Sequence, residues 1–201
     1  LNLSVGHLSL YQLTIEKNTR FGELLTRGKL FGLPNEDMAI DFYNLTNSIC
    51  KSKNLYAYEI SNFAKKGDEC RHNLNYWKGG PFLGIGPGAH GRVDINNKRY
   101  VTRAPSEPEL WLKQVQDSNI EKFTYTLLSK VEQAEEYIIM GLRLKTGIDL
   151  RQYLTIAKKE IPKKKLDKLL YENLIQIDNH NLKTTARGKL VTNYVIRELL
   201  C

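Results

Sequence analysis

The sequence contains no apolar run that approaches the roughly 18 residues needed to cross a bilayer. Near Leu1 it also lacks a basic region followed by an apolar block, which is the pattern of a secretory signal peptide. We therefore expect neither a membrane-spanning helix nor a secretory signal.

Cysteine is scarce, since the chain has only Cys50, Cys70 and Cys201, and no two of them form a C-x-x-C pair. An odd number of widely spaced cysteines argues against a disulfide framework. These cysteines also cannot supply a cysteine-rich iron–sulfur motif. We expect a protein of the reducing cytoplasm.

The composition is that of a globular protein, with 41% hydrophobic and 26% charged residues. The formal net charge is +8, and the excess of cations is spread along the chain, with one local block at Lys163–Lys165. A DNA-binding domain usually concentrates its cations on one face, because phosphate contacts supply much of its affinity. A solvated, lysine-rich surface is therefore the favoured interpretation, and we expect no nucleic-acid partner.

The first half of the chain predicts a βαβ unit. Residues 7–13 and 55–60 have the patterns of short strands, and Asn35 can cap a helix between them. Two strands joined by a helix normally form a parallel sheet covered by helices. The interpretation is an α/β fold.

A long aperiodic segment and a hairpin follow. Residues 61–91 have little periodicity but contain four aromatic side chains, which predicts an ordered, functional loop. The Asn96–Asn97 turn between two alternating segments predicts a β-hairpin over residues 92–102.

The segment Ala104–Pro108 is rich in proline and predicts a boundary between a domain of residues 1–105 and one of residues 106–201. In the second domain Ser129 and Glu132 match a capping box, and Asp149 can cap a further helix. A helix over 165–173, a hairpin over 174–184 and a closing helix over 190–199 complete it, as the residue patterns predict. This order of elements is typical of a mostly helical, winged-helix-like domain.

The segment Gly84–Ala89 satisfies G-x-G-x-x-A, the dinucleotide-binding fingerprint. That fingerprint requires a helix to follow, because the helix N-terminus binds the pyrophosphate. Here Pro87 lies in the middle and the predicted hairpin follows, so we reject the Rossmann interpretation. The glycines instead let the backbone turn tightly. His90, at the end of the turn, is either a ligand contact or a buried, hydrogen-bonded histidine.

The segment His72-Asn73-Leu74-Asn75-Tyr76-Trp77 is the most informative in the chain. A haem site needs an axial donor such as imidazole and a flat apolar surface, and it needs cations for the propionates. His72 supplies a donor, two aromatics follow it, and Arg71 and Lys78 flank the segment. The alternative is a loop that packs Tyr76 and Trp77 into the core and leaves His72 on the surface.

The pattern HNxxYW over residues 72–77 resembles the motif that distinguishes HemW-type haem chaperones from oxygen-independent coproporphyrinogen oxidases, called HemN. Other segments are similar to the same family in the same order along the chain. They are HLSLYQLTIE at 7–16, TRFG at 19–22, YEISNFA at 58–64, LGIGPGAHG at 83–91, MGLRLKTGIDL at 140–150 and LKTTARGKL at 182–190.

This resemblance implies the C-terminal part of a radical-SAM partial (β/α) barrel, followed by the winged-helix-like domain. In the family, an upstream C-x-x-x-C-x-x-C loop holds a 4Fe–4S cluster that binds S-adenosylmethionine, and this chain has no such loop. We expect no radical chemistry from these residues alone, and pairing either with an N-terminal radical-SAM half or with a second copy. Thr14 and His90 match positions that line the S-adenosylmethionine pocket.

The function implied by the resemblance is haem binding and delivery to haemoproteins such as respiratory enzymes. His72 would be the axial iron ligand, with Tyr76 and Trp77 shaping the pocket and Arg71 or Lys78 near the propionates. Two alternatives stay open: part of an oxygen-independent coproporphyrinogen III oxidase of porphyrin biosynthesis, and a nucleic-acid-binding winged helix.

Overall fold

The structure, a computed structural model, describes residues 6–117 and 124–200 of the chain. It divides into two compact units, Leu1–Cys70 and Arg71–Cys201, which we call the N-terminal unit and the C-terminal unit. The domain boundary predicted near residue 105 falls inside the C-terminal unit and stays a prediction. Cys201 lies outside the described residues, whereas Cys50 and Cys70 are free thiols.

The N-terminal unit has a small antiparallel sheet and two helices. Its elements are β1 (His7–Ser9), α1 (Arg20–Thr26), α2 (Glu36–Ser52), β2 (Tyr56–Ala57) and β3 (Asn62–Ala64). The strand order is β1-β3-β2, and β3 pairs antiparallel with both neighbours. The predicted parallel pairing is therefore wrong for these strands, which lie on opposite sides of β3.

A buried carboxylate explains why the chain reverses between β2 and β3. Glu59 is 4% exposed, and its side chain accepts hydrogen bonds from the Ser61 N–H at 3.0 Å and from the Asn62 side chain. A side-chain acceptor that binds an N–H group two residues ahead of it stabilises a reversal of the chain. β3 thus forms inside the segment that the sequence predicts to be a loop.

Helix α2 begins as predicted, because the Asn35 side chain accepts a hydrogen bond from the Met38 N–H at 2.9 Å. Such a cap satisfies one of the four N–H groups that a helix leaves unpaired at its start. In α2 only Cys50 is buried. It packs with Leu55 and Phe63 in the small core of this unit.

The C-terminal unit contains a second sheet, a third sheet and most of the helices. Its elements are α3 (Arg71–Trp77), β4 (His90–Ile95), β5 (Lys98–Arg103), α4 (Pro108–Gln116), β6 (Thr124–Leu127), α5 (Lys130–Gly141), β7 (Ile148–Asp149), α6 (Leu150–Ala157), α7 (Lys163–Tyr171), β8 (Ile175–Asp178), β9 (Asn181–Thr184), α8 (Ala186–Leu190) and α9 (Thr192–Leu200). Its sheets are antiparallel, in the orders β4-β5-β6 and β7-β9-β8. The protein is therefore mixed α/β.

The turn and the helix caps that the sequence predicts for this unit are confirmed. Asn96 and Asn97 both have positive φ, at 50° and 60°, which is the two-residue turn of the predicted β4–β5 hairpin. The capping box is complete, since Ser129 and Glu132 each accept a hydrogen bond from the other's backbone N–H. Asp149 caps α6 as predicted.

The core of the C-terminal unit is large. Its most buried side chains, each at most 2% exposed, lie in α5, directly after it, and in β7, α7, β8, β9 and α9. They are Ile138, Leu142, Ile148, Leu169, Ile175, Leu182 and Val195. In the described ranges, no helix is both long enough and apolar enough to cross a membrane.

Candidate functional site

The segment His72–Trp77 forms part of α3, and the prediction that it is a loop is therefore wrong. In a helix, residues four apart lie on the same face, one above the other. His72 and Tyr76 are related in this way, and their ring centroids lie 4.7 Å apart with an interplanar angle of 86°. A loop would not impose this edge-to-face contact, whereas the helical repeat does.

Phe82 extends this contact into a ladder of three rings. Its centroid lies 4.5 Å from that of Tyr76, at 74°, again edge to face. The Phe82 backbone is fixed to the hairpin, because its N–H and C=O exchange hydrogen bonds of 2.8 Å with those of Arg92. We call His72, Tyr76 and Phe82 the aromatic ladder. One end of it, His72, is exposed to solvent, while Tyr76 is half-buried.

The chain between α3 and Phe82 is held by two side chains. Asn75 donates from its amide to the Pro81 carbonyl at 2.9 Å. Arg99 donates to the Gly79 carbonyl at 2.6 Å and to the Gly80 carbonyl at 3.2 Å. These two carbonyls belong to the turn that follows α3, whereas the Leu74, Asn75 and Tyr76 carbonyls of the helix accept hydrogen bonds from the backbone N–H groups of residues 78–80. The hairpin thus holds the turn after α3 through Arg99.

Close packing explains why glycine follows α3. Gly79 has φ of +69°, a left-handed conformation that glycine adopts without strain. A β-carbon on Gly80 would overlap the Asn75 side-chain amide. Gly79 therefore permits the turn, and Gly80 leaves room for the Asn75 side chain.

The other predicted site residues of this segment lie around the ladder. Trp77 is half-buried in the last turn of α3, and Arg71 and Lys78 are exposed at its two ends. The structure thus brings a solvent-exposed imidazole, aromatic rings and two cations onto one seven-residue helix and its flanks.

The glycine-rich turn leads into a strand and not into a helix, which confirms the rejection of the dinucleotide fingerprint. Gly84 lies so close to the His90 backbone that a β-carbon would overlap it. His90 is the exposed first residue of β4, so the alternative of a buried histidine is wrong. Just ahead of it, Leu83 and Ile85 are 74% and 86% exposed.

Thr14 is exposed in the N-terminal unit, whereas the remaining predicted site residues lie in the C-terminal unit. Within residues 6–117 and 124–200, no three His, Cys, Asp or Glu side chains are grouped so that they could hold a metal ion. The iron donor predicted from the sequence is a single imidazole, that of His72, and it stays a prediction.

Sequence reasoning missed Phe82, Asn75 and Arg99 as parts of this site. Phe82 was visible as one of the four aromatics of its segment, and its place in the ladder depends on the β-bridge to Arg92. Arg99 follows Gly79 by 20 residues and reaches it only because the hairpin folds back. No local pattern indicates that contact.

Comparison with known proteins gives a consistent set of matches. A family model described as the HemN C-terminal domain matches residues 128–191. The protein "Radical S-adenosyl methionine domain-containing protein 1, mitochondrial" of Mus musculus is 33% identical over 96% of this chain and 46% of its own length. "Heme chaperone HemW" of Bacillus subtilis is 32% identical over 100% of this chain and 52% of its own length. "Heme chaperone HemW" of Mycobacterium tuberculosis is 30% identical over 98% and 48%.

The chain belongs to the family of HemW and HemN proteins. It spans about half the length of the curated relatives that it matches. The solved structure of coproporphyrinogen III oxidase (HemN) from Escherichia coli, described as a radical SAM enzyme, has the same fold over 98% of this chain and 48% of its own, with a TM-score of 0.70 at 15% identity. The family interpretation from the sequence is thereby confirmed.

Proposed function

We propose that this chain binds haem on the exposed end of the aromatic ladder, as part of a HemW-like protein that delivers haem to haemoproteins. The observation that carries the proposal is the exposed His72 ring, held edge to face against Tyr76. Haem is the cargo of such a protein and not its resident cofactor. The names of the relatives, "Heme chaperone HemW", support this choice of ligand.

Several features of the structure support this proposal. A neutral imidazole nitrogen is a common axial ligand of haem iron, and His72 is accessible from solvent. Tyr76, which itself packs against Phe82, restricts the orientation of the His72 ring, so that less freedom is lost when iron binds. Leu83, which directly follows Phe82, offers exposed apolar surface.

The propionates of haem would be met by cations. Arg71 and Lys78 lie at opposite ends of α3 and are both exposed, so both can reach a carboxylate outside the helix. Charge-assisted hydrogen bonds to a carboxylate are stronger than neutral ones. We propose these two side chains as the propionate contacts.

The test is a titration with haemin followed by the Soret band. We expect His72→Asn to weaken binding roughly tenfold or more, about 1.4 kcal/mol, because the axial ligand is lost. The matched control is His180→Asn, on the β8–β9 turn, where φ is +68° and asparagine keeps the backbone relaxed. Equal titration curves for His72→Asn and the unmodified chain would remove His72 from the proposed role.

The longer protein of this family uses S-adenosylmethionine and an iron–sulfur cluster, and we propose Thr14 and His90 as contacts of the S-adenosylmethionine pocket. Both are exposed in this structure. Binding of S-adenosylmethionine to the longer protein, measured by calorimetry, should weaken in Thr14→Val and in His90→Phe. Unchanged affinity in both variants would remove these residues from the pocket.

We also propose that the exposed apolar face of α2 is covered by the other half of a longer protein. Met38, Phe42, Leu45 and Ile49 recur at helical spacing and are 46–58% exposed. The curated relatives are about twice as long as this chain. Sedimentation analysis should show a complex with the N-terminal half of the Bacillus subtilis relative. A clean monomer with no affinity for that half would contradict the proposal, and so would self-association in its place.

Two further expectations remain part of the proposal. A cytoplasmic location is supported by the free thiols of Cys50 and Cys70. The absence of a nucleic-acid partner is supported at Lys165, whose ammonium group donates to the Leu199 carbonyl at 3.1 Å and so contributes to packing between α7 and α9. The recipients of haem, respiratory proteins among them, are proposed from the family resemblance alone.

A further inference from the structure

Strand β6 (Thr124–Leu127) is the edge of the β4-β5-β6 sheet. It pairs antiparallel with β5, with Val101 opposite Thr126 and Tyr100 opposite Leu127. The Leu128 N–H donates to the Arg99 carbonyl at 2.9 Å, so that pair is hydrogen-bonded. Because hydrogen-bonded and open pairs alternate in an antiparallel ladder, the backbone of Tyr125 and Leu127 faces away from β5. In the part of the chain that the structure describes, no strand lies on that side.

Within residues 124–127, this edge carries none of the side chains that usually protect an edge strand against pairing. Natural edge strands are shielded by charged side chains, proline or bulges, because an open edge is a template for another strand. Thr-Tyr-Thr-Leu contains no charge and no proline, and threonine and tyrosine favour strands. All four residues are exposed, and Tyr125 and Leu127 are 50% and 51% exposed.

A cleft of about 550 Å³ lies beside the edge, between one face of the sheet and helix α5. Thr124 and Thr126 line it from β6. Because side chains alternate along a strand, Tyr125 and Leu127 lie on the opposite face. A strand added to this edge would therefore place every second side chain on the side of the cleft.

The charges in the cleft indicate which side chains it would accept. Arg92 binds Glu136 at 2.7 Å and is neutralised by it. Among the described residues that line the cleft, two further carboxylates, Glu132 and Glu135, lie on the α5 wall, and Arg103 is the cation that remains. The Glu132 carboxylate stays charged, because hydrogen bonds from Ser129 lower its pKa. The remaining charge in the cleft is therefore negative.

We propose that the β6 edge is a docking site for an extended segment of a partner protein. The segment pairs antiparallel with Tyr125 and Leu127, as every strand pair in this sheet does. Basic side chains at alternate positions face the cleft, and apolar side chains between them lie over Tyr125 and Leu127. Backbone hydrogen bonds then give affinity and the acidic cleft gives specificity. This proposal is independent of haem binding.

The probe is the peptide acetyl-Val-Lys-Val-Lys-Val-Lys-Val-amide, titrated into the full chain by calorimetry. A peptide with glutamate in place of lysine is the charge control, and it should bind more weakly. Glu135→Gln should weaken the lysine peptide about two- to fivefold, as expected for a partly exposed ion pair. The glutamate peptide should not lose affinity in that variant.

The backbone pairing is tested by a change in the protein and by changes in the peptide. Tyr125→Pro removes an outward N–H without removing a hydrogen bond to β5, and it should weaken the lysine peptide roughly tenfold. Tyr125→Thr keeps the N–H and is the matched control. N-methylation of the valines, whose N–H groups face β6, should abolish binding. N-methylation of the lysines, whose N–H groups face away, should preserve it.

Three results would overturn the proposal. They are no binding of the lysine peptide, equal loss with both N-methylated peptides, and self-association of the chain that Tyr125→Pro abolishes. The last result would identify a second copy as the occupant of the edge. The N-methylated peptides need no change in the protein, so the test holds even where a variant folds poorly.

Discussion

The two compact units differ most in how much of their apolar surface they bury. Among the described residues, the C-terminal unit has thirteen buried residues in one cluster, all of them between positions 134 and 199. The N-terminal unit has three, Cys50, Leu55 and Phe63. Yet α2, with 17 residues, is the longest helix in the part of the chain that the structure describes. The difference shows that a well-formed amphipathic helix is not evidence of a completed core.

The reason lies in what each unit offers its helices. In the C-terminal unit, α5 packs against α6, β7 and α9, and its buried face meets apolar side chains on several sides. In the N-terminal unit, α2 has a local cap and helical periodicity, but Phe42 and Leu45 on its apolar face are 51% and 58% exposed. Most helical stability in proteins comes from the packing of such a face. The C-terminal unit should therefore determine the measurable stability of this chain.

The largest effect is expected from Leu182→Ala in the C-terminal core. Leu182 is fully buried, and its truncation should lower the free energy of unfolding by about 2–5 kcal/mol, since a cavity remains. Urea unfolding followed by tryptophan fluorescence measures it well, because Trp77 and Trp111 both lie in this unit.

The control for this prediction is Leu45→Ala on α2, which should change the free energy by no more than about 0.5 kcal/mol, as exposed positions usually do. Similar losses of unfolding free energy in Leu182→Ala and Leu45→Ala would contradict this difference between the two units. They would mean that the apolar face of α2 is buried in solution.

A smaller effect is expected from Arg99→Ala, which releases the turn after α3. The Arg99 side chain is 17% exposed, and its loss leaves the Gly79 and Gly80 carbonyls without their donor. Hydrogen bonds from a charged group are worth about 1.5–3 kcal/mol. Urea unfolding should show a loss of this order. Haemin titration of Arg99→Ala tests whether the contact made by Arg99 also affects haem binding at the aromatic ladder.

Lys98→Ala, at an exposed position on the same strand β5, is the matched control for Arg99. It should leave both unfolding and titration unchanged. An Arg99→Ala variant as stable as Lys98→Ala would show that the carbonyls are satisfied by water, and that the hairpin does not hold the turn after α3.

The smallest effect is a dependence of stability on pH from the capping box of α5. The backbone N–H and the side chain of Ser129 bind the Glu132 carboxylate and hold its pKa below the ordinary value of 4.5. A carboxyl group whose pKa is lowered by folding stabilises the protein above the unfolded value. That contribution is lost as the pH falls through the folded value.

Thermal unfolding at a series of pH values below 4.5 should therefore show a shallower fall in Tm for Glu132→Gln than for the unmodified chain. Glutamine keeps the reciprocal hydrogen bond of the capping box, so only the titration is removed. Identical pH profiles would show that the Glu132 carboxylate contributes nothing through its pKa.

Much of the fold could be predicted because its signals are local. Asn35, Ser129 and Asp149 cap helices where the sequence places them, and Asn96–Asn97 forms the predicted turn. In each case the interaction spans two or three residues, and the residue type alone determines it. Helix α7 begins and ends two residues earlier than predicted, within the usual uncertainty of helix ends.

The errors involve pairing between distant residues. The sequence favoured a parallel sheet for the first two strands, but Asn62–Ala64 inserts between them as β3. The composition of residues 61–91, which is rich in asparagine and glycine, also led to the prediction that His72 lies in a loop. α3 forms there, and the turn that follows it is held by Arg99, which lies 20 positions beyond Gly79.

For the candidate site, the sequence alone identified the residue types: an imidazole, two aromatic rings and two cations within residues 71–78. It also identified the family, because motifs of residue types are preserved in linear order. Only the tertiary structure decided that His72 and Tyr76 pack edge to face on one helix, and that Phe82 continues the ladder. The chemistry of a residue is determined at its own position in the sequence. The contacts between rings depend also on backbone geometry and on pairing with the hairpin, which fixes Phe82.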